Sequence, residues 1–310
     1  MSPRLFVVIV LYQTRVEACV SYRDLIRAAT HLDKDDSSLS ILLFDNSPEP
    51  NSAAELATGT IYHHATHNEG VAGAYNYALQ LALAQGSEWL LTLDQDTSLP
   101  DRFLVDMLNA ARSLSSDTNM AAIVPQVFSD DRLISPHFYA AGAWPRLLPA
   151  GFRGKSRAPL FGINSASLLR VATLESIGGY DPAFWLDASD HVLFARLARA
   201  GKGAYVLGGV RVQQSLSHLD RATSLSPSRL RNILEAESAF WDSEMTYWAG
   251  GMHTLVMLRH LLGMWRRRED PVLCRLVIAS IVDRIVHTRR FRLERWTRAA
   301  TTQRPSRVLR

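Results

Sequence analysis

The chain has only two cysteines, Cys19 and Cys274, in 310 residues. Cysteines so far apart offer neither metal-site spacing nor a disulfide framework, which fits a reducing cytoplasm. Long hydrophobic runs are also missing. The apolar stretch Leu5–Leu11 is too short to span a bilayer, and no small-residue cleavage site follows it. After that run stands Tyr12-Gln13-Thr14-Arg15, not a glycine-rich phosphate loop. Internal repeats and low-complexity tracts are absent. Net charge is small at +4, and 47% hydrophobic with 21% charged residues describes an ordinary globular chain. Its length allows one large core or two modest ones.

The charge that exists is unevenly placed, because much of the arginine lies in the last fifty residues: Arg266-Arg267-Arg268, Arg289-Arg290, Arg292, Arg295 and Arg298. A basic end suggests an anionic partner. A solvated helix face and a hold on the anionic inner leaflet of the cytoplasmic membrane are the two readings.

The most informative stretch is Trp89-Leu90-Leu91-Thr92-Leu93-Asp94-Gln95-Asp96-Thr97. A short apolar run ending in two carboxylates reads as a buried strand that delivers acids to its carboxyl end. Ligands bind at that rim in open α/β sheets. Carboxylate oxygens suit Mg²⁺ or Mn²⁺, which take one or two of them together with substrate phosphates. An Asp-rich turn is the plain alternative.

Around this stretch, strand and helix patterns alternate. Leu5–Leu11, Leu39–Phe44, Thr60–His64, Ala121–Val127 and Ala204–Val212 read as strands. Residues 15–30 and 100–113 read as helices. So does the stretch after Asn68, with apolar positions 71, 72, 75, 78, 79, 82 and 83 and a stop at Gly86. Residues 163–169 read as strand or strand edge, and another helix runs from Asp190 to Ala200. The alternation implies βαβ units and a mostly parallel sheet. Residues 128–162 lack periodicity, and Gly151–Arg157 reads as a surface loop. From about Pro227 the texture turns helical. The expected division is therefore a catalytic domain over 1–225 and a basic helical extension over 226–310.

Acid-bearing positions recur along the presumed rim: Asp45, Asp94 with Asp96, Asp187 with Asp190, and then His218. Singly, each has an ordinary role as Asx turn, helix cap or surface imidazole. Together they offer what transfer from a sugar nucleotide needs: a group to read the base, carboxylates for a cation, and a carboxylate base beside an acceptor hydroxyl. A metal-dependent nucleotidyltransferase also needs paired carboxylates, but should carry a glycine-rich basic loop after the first strand. A nucleic-acid-binding module using the basic tail is disfavoured, since these acids repel phosphate.

Several of these residues resemble a known family. Val10-Leu11-Tyr12, Asp45-Asn46-Ser47, Asn68-Glu69-Gly70-Val71-Ala72 through Asn76, and Leu93-Asp94-Gln95-Asp96 are similar to the inverting glycosyltransferase family two, nearest its bacterial rhamnosyltransferase branch. Asn164-Ser165-Ala166, Phe184-Trp185-Leu186-Asp187 with Asp190, and Arg231-Asn232 extend the resemblance over roughly residues 5–235. Gln13, Val192 and His218-Leu219-Asp220 depart from the pattern.

The resemblance implies a type-A glycosyltransferase fold, a dTDP- or UDP-linked sugar donor, and a glycan or lipid-linked saccharide acceptor. It implies that Tyr12, Asp45, Asn68, Asn76, Asp94 and Gln95 meet the nucleotide and sugar. Asp96, Asp94 and His218 would hold Mg²⁺ or Mn²⁺. Asp190 would be the general base, with Asp187 as the competing assignment. Position alone puts the acceptor near Phe184, Trp185 and the 151–157 loop.

Overall fold

The strongest apolar run becomes the centre of the sheet. In the computed structural model, which describes residues 3–32, 39–51, 55–156, 158–214 and 226–302, all seven residues of Leu5–Leu11 are buried. This strand (β1) has both faces covered, which is why it shows no polar alternation. Each fully buried aliphatic side chain contributes roughly 1.5–3 kcal/mol relative to exposure.

Chain order then gives α1 (Val20–Ala29), β2 (Leu39–Asp45), β3 (Thr60–His64), α2 (Gly70–Ala84), β4 (Trp89–Asp94), β5 (Thr97–Ser98) and α3 (Phe103–Ser113). Next come β6 (Met120–Ser129), β7 (Arg132–Ser135), β8 (His137–Ala140), β9 (Trp144–Leu147), β10 (Arg153–Lys155) and β11 (Ser167–Arg170). The α/β part closes with α4 (Val171–Ser176), α5 (Ser189–Arg199) and β12 (Gly203–Gln214). Four helices follow: α6 (Pro227–Ser243), α7 (Tyr247–Arg266), α8 (Pro271–Val286) and α9 (Arg289–Thr302).

The main sheet has the order β10-β12-β6-β11-β4-β1-β2-β3, with β5 on β12 and β7 on β6. Strands β3, β2, β1 and β4 are mutually parallel, as are β6 and β12. Strand β11 runs antiparallel to both β4 and β6. The six long strands therefore share one direction, and their carboxyl ends share one rim. Because β11 runs the other way, its amino end reaches that rim too, carrying Asn164-Ser165-Ala166 beside the end of β4.

Helices α1 and α3 bury Tyr22, Leu25, Phe103, Leu104 and Met107 in one cluster with Leu5, Val7, Ile9 and Leu11. Helix α2 lies against β1 and β4, and its buried positions are mostly alanine, which permits close approach. Two expectations change. Arg153–Lys155 is not loop but an edge strand paired antiparallel with β12. A Cβ at Gly208 would lie 2.1 Å from the Phe152 carbonyl oxygen, so only glycine admits this pairing. Residues 128–162 hold four short strands, too brief for periodicity to register.

The chain divides into two compact units. The first comprises residues up to Phe138, Leu147–Asp181 and Ser189 to the end of β12. The second takes Tyr139–Arg146, Pro182–Ala188 and α6–α9. Capping sets its helix starts: Ser226 accepts from Arg229 N–H at 3.2 Å, Thr246 from Ala249 at 3.2 Å, and Asp270 from Val272 at 2.7 Å. Its core is Met257, Met264, Cys274, Val277 and Ile281.

Candidate active site

Register brings the first acids together. Leu11 pairs with Asp45 across β1–β2, and Val10 with Asp94 across β1–β4. The two aspartates thus end neighbouring strands on either side of β1, at nearly the same height.

Their environments differ. Asp45 is fully buried. Its Oδ1 accepts from Ser47 N–H at 2.9 Å, and its Oδ2 from Asn51 Nδ2 at 2.6 Å and Tyr62 OH at 2.7 Å. Burial pushes this carboxyl up, but the donors from Ser47, Tyr62 and Asn51 outweigh it and leave the pKa below the usual range. These bonds tie Asp45 to the loop that follows β2. Asn76 is similarly engaged: its Nδ2 donates to Tyr180 O, and its Oδ1 accepts from Tyr180 N–H, both at 2.8 Å. Asn68 accepts from Gly70 N–H at 2.9 Å, opening α2. Asn46 braces the same turn, with Glu69 N–H on its Oδ1 and its Nδ2 on Gly70 O.

Gln95 ties two rim loops. Its Oε1 accepts from Tyr12 N–H at 2.8 Å and its Nε2 donates to Tyr12 O at 3.3 Å. Tyr12 itself is exposed. Two rim-loop residues of this unit that are not glycine, Gln13 and Ala166, have positive φ of 52° and 64°.

Asp94 sits in a polar cradle. Tyr75 OH reaches its Oδ1 at 3.2 Å, Gln214 Nε2 its Oδ2 at 2.8 Å, and its own N–H donates to Ser165 Oγ at 3.0 Å. Burial, then the nearby charge of Asp96, raises its pKa to about 6 even against the Gln214 and Tyr75 donors, and Asp190 adds a smaller push. Burial also raises Asp96. Apart from its own N–H, the Asp96 carboxylate has no partner among the described residues.

Asp190 lies in the first turn of α5. His191 donates to its Oδ1 from the backbone at 2.7 Å, and Nδ1 of the same residue lies 2.8 Å from that oxygen. Oδ2 is left without a donor among the described residues. Burial raises this carboxyl, but His191, by charge and by both hydrogen bonds, and then His137 bring it below the ordinary value. Burial drives His137 down to about 3, so it is neutral at physiological pH. The rings of His137, Phe161 and His191 pack within 6 Å of one another, centroid to centroid, at 5.7, 5.4 and 5.9 Å.

The second unit holds Asp187, Phe184 and Trp185. Both oxygens of Asp187 are taken by Arg229, whose Nη2 lies 2.6 Å from Oδ1 and Nη1 2.5 Å from Oδ2. Phe184 is buried against Trp296 at 5.3 Å, whereas Trp185 is at the surface. His218 lies outside the described residues.

The first unit therefore places Asp96 and Asp190 within electrostatic reach of Asp94, while the side chains of Asp45 and Asn76 hydrogen-bond within the protein. Sequence reasoning missed Tyr75, Gln214, Ser165 and His191. Tyr75 had a signal only as a buried helix position, and Gln214 only as the polar end of a strand.

Among the described residues no group of three or more His, Cys, Asp or Glu side chains converges. Two carboxylates, Asp94 and Asp96, lie within electrostatic reach of each other, and Gln214 Oε1 and Asn164 Oδ1 are buried with no hydrogen-bond partner among the described residues. Among the described residues, this oxygen donor set with uncompensated negative charge fits a hard divalent cation such as Mg²⁺ or Mn²⁺.

Comparison with known proteins agrees with this architecture. The profile of the family described as "Glycosyl transferase family 2" matches residues 8–178. No curated protein matches the chain by sequence. Among solved structures, the crystal structure of GalNAc-T7 with UDP, GalNAc and Mn²⁺ superposes with a TM-score of 0.54 at 12% identity, covering 78% of this chain and 51% of that one. S. aureus TarS gives a TM-score of 0.48 at 12% identity, covering 79% and 44%. The chain thus spans about half the length of the solved chains it matches.

Proposed function

The chain belongs to glycosyl transferase family 2, and on that footing we propose that it transfers L-rhamnose from dTDP-rhamnose to a glycan or lipid-linked saccharide acceptor, inverting the anomeric carbon. Its fold is that of the type-A glycosyltransferases, with a helical C-terminal region. The rhamnosyl donor rests on the likeness of the motifs from Val10-Leu11-Tyr12 to Arg231-Asn232, taken together, to the rhamnosyltransferase branch of the family.

One observation carries the reading. Two carboxylates without a countercharge among the described residues, Asp94 and Asp96, share a rim with a third, Asp190, which is held ionised and presents one oxygen unengaged among those residues. The first two have the character of a leaving-group site. The third has the character of a base.

In this account Asp94 and Asp96 hold Mg²⁺ or Mn²⁺. When bound, that cation supplies positive charge for the departing diphosphate. Gln214 and Tyr75 fix the Asp94 carboxylate, so its orientation does not have to be found at each turnover. Gln95 holds the loop that presents Tyr12, whose exposed ring is available to the nucleobase. Asp190 takes the acceptor hydroxyl proton on Oδ2 while His191 holds Oδ1. A carboxylate base of low pKa is ionised at neutral pH, so the proton moves only as the bond to the sugar forms.

A UDP-linked hexose is the second reading, favoured by the UDP, GalNAc and Mn²⁺ of the GalNAc-T7 structure. Thermal shift with dTDP-rhamnose and a panel of UDP-sugars, each with and without Mn²⁺, separates them. The proposal expects metal-dependent stabilisation by dTDP-rhamnose above all others. Stabilisation by a UDP-sugar alone replaces the donor, and stabilisation by none removes the reading.

A further inference from the structure

The second unit leaves its most apolar helices uncovered. On α7, Ala249, Gly250, His253, Met257 and Met264 are buried, and the opposite face presents Trp248, Leu255, Leu258, Leu262 and Trp265 to solvent. The two tryptophans are 71% and 67% exposed, far from the usual state of an indole in a folded domain. Helix α8 repeats the arrangement. Cys274, Val277 and Ile281 point inward, while Val272, Ile278, Val282, Ile285 and Val286 point outward.

The two helices form an antiparallel hairpin, since Arg284 near the end of α8 donates to Gly250 O at 3.2 Å near the start of α7. Each outward stripe is several turns long, beyond the scattered apolar exposure of a monomer surface.

Charge frames this face. Between residues 247 and 302 there are eleven arginines, four acids and no lysine. Every acid is already engaged: Glu269 by Arg267, Asp283 by Arg295, Glu294 by Arg290, and Asp270 as the cap of α8. Some arginines are internal, since Arg292 and Arg284 pair with the buried Asp242. Arg266, Arg268 and Arg275, by contrast, are exposed and have no carboxylate partner among the described residues. Arg266 and Arg268 lie at the α7–α8 turn. Arg275 stands within the outward face of α8, between Val272 and Ile278. At the other end of the hairpin, Tyr247, Arg289, Arg290 and Arg298 line an open hollow of about 550 Å³.

We propose that the outward face of the α7–α8 hairpin docks on an anionic lipid bilayer, with Trp248 and Trp265 as interfacial anchors and Arg266, Arg268 and Arg275 on lipid phosphates. No helix among the described residues is long and apolar enough to cross a membrane, so the hairpin lies in the interface. Apolar residues enter the headgroup boundary, and arginine stems follow them while their guanidinium groups stay among phosphates. A second copy fits less well. Docking two such faces would bury Arg275 among apolar residues with no free acid nearby, whereas the cores of protein interfaces are depleted of unpaired charge. The inference does not depend on the chemistry of the first unit.

The test is co-sedimentation of the full chain with vesicles of phosphatidylcholine alone and with vesicles rich in phosphatidylglycerol. Binding is expected only to the anionic vesicles, with a blue shift of tryptophan emission, and it should weaken with salt. The Trp248→Ser/Trp265→Ser double variant should lose roughly tenfold or more in partitioning. The Arg266→Gln/Arg268→Gln/Arg275→Gln variant should lose about a hundredfold, at about fivefold per arginine. All five positions are exposed, and an unchanged melting temperature keeps the comparison clean. Equal binding to both vesicle types, absence of binding, or binding indifferent to both variants overturns the proposal. So does a dimer in solution that the tryptophan double variant dissolves, which would make a second copy the occupant.

Discussion

His191 meets the carboxylate of Asp190 twice on one oxygen, through its backbone N–H at 2.7 Å and its ring Nδ1 at 2.8 Å. A residue next in sequence thus fixes which oxygen of the acid is left for chemistry. Replacing the ring removes the side-chain hydrogen bond and its charge, while the backbone bond survives. The carboxyl then rises toward its ordinary pKa, because burial still opposes ionisation. His191→Ala should therefore move the acidic limb of the kcat/KM profile to higher pH and cost no more than about tenfold in rate at neutral pH. A pH–rate profile checks this, and an unmoved acidic limb means His191 does not act on Asp190.

The same linkage affects stability. A carboxyl lowered in the folded state stabilises the protein above its unfolded pKa of about 3.9, and that contribution is lost as pH falls through the folded value. His191→Ala should thus reduce stability at neutral pH and converge with wild type in strong acid. Urea denaturation at a series of pH values measures the difference.

Gln214 supports Asp94 from behind, through a 2.8 Å bond reaching 120 residues back in the chain. Groups that orient a metal ligand typically cost about 10–100-fold in metal affinity when removed. Gln214→Leu should raise the Mn²⁺ concentration for half-maximal donor binding by about that factor, read by calorimetry. Asp96→Ala should abolish the metal-dependent part outright.

The pair Asp187–Arg229 has the geometry of a structural clasp, with two near-parallel bonds that consume both carboxylate oxygens. Arg229→Gln and Asp187→Asn should each lower stability by about 1 kcal/mol, discounted for the half-exposed guanidinium. The double variant should be less than additive. Chemical denaturation of the four proteins tests the coupling.

These outcomes also mark how far the sequence could be read. Strands β1, β2 and β4 were legible because a run buried on both faces needs unbroken apolar residues, and each of the latter two ends in an acid that the parallel direction sends to one rim. The direction of β11 was not legible, since four residues carry no sign of orientation, yet that reversal brings Ser165 to Asp94. The Asp94-Gln95-Asp96 segment stood out as a site. Its division of labour did not: Gln95 ties down the Tyr12 loop, and the partners that complete the cradle, Tyr75 and Gln214, come from a helix core and a distant strand end. Asp45 and Asn76 are expected to meet the nucleotide and sugar, and the hydrogen bonds they make inside the protein were not legible, because sequence shows polarity but not partners. In the structure their polar atoms are spent on Ser47, Asn51, Tyr62 and Tyr180.

The central claim is that Asp190, and not Asp187, removes the acceptor proton. Its most direct measurement compares the transfer rates of Asp190→Asn and Asp187→Asn at saturating donor, with donor affinity determined for each by calorimetry. The account predicts that Asp190→Asn loses about 10²–10⁴-fold in kcat with donor affinity unchanged, while Asp187→Asn stays within about tenfold of wild type once its lower stability is allowed for. A near wild-type rate for a folded, donor-binding Asp190→Asn would contradict it.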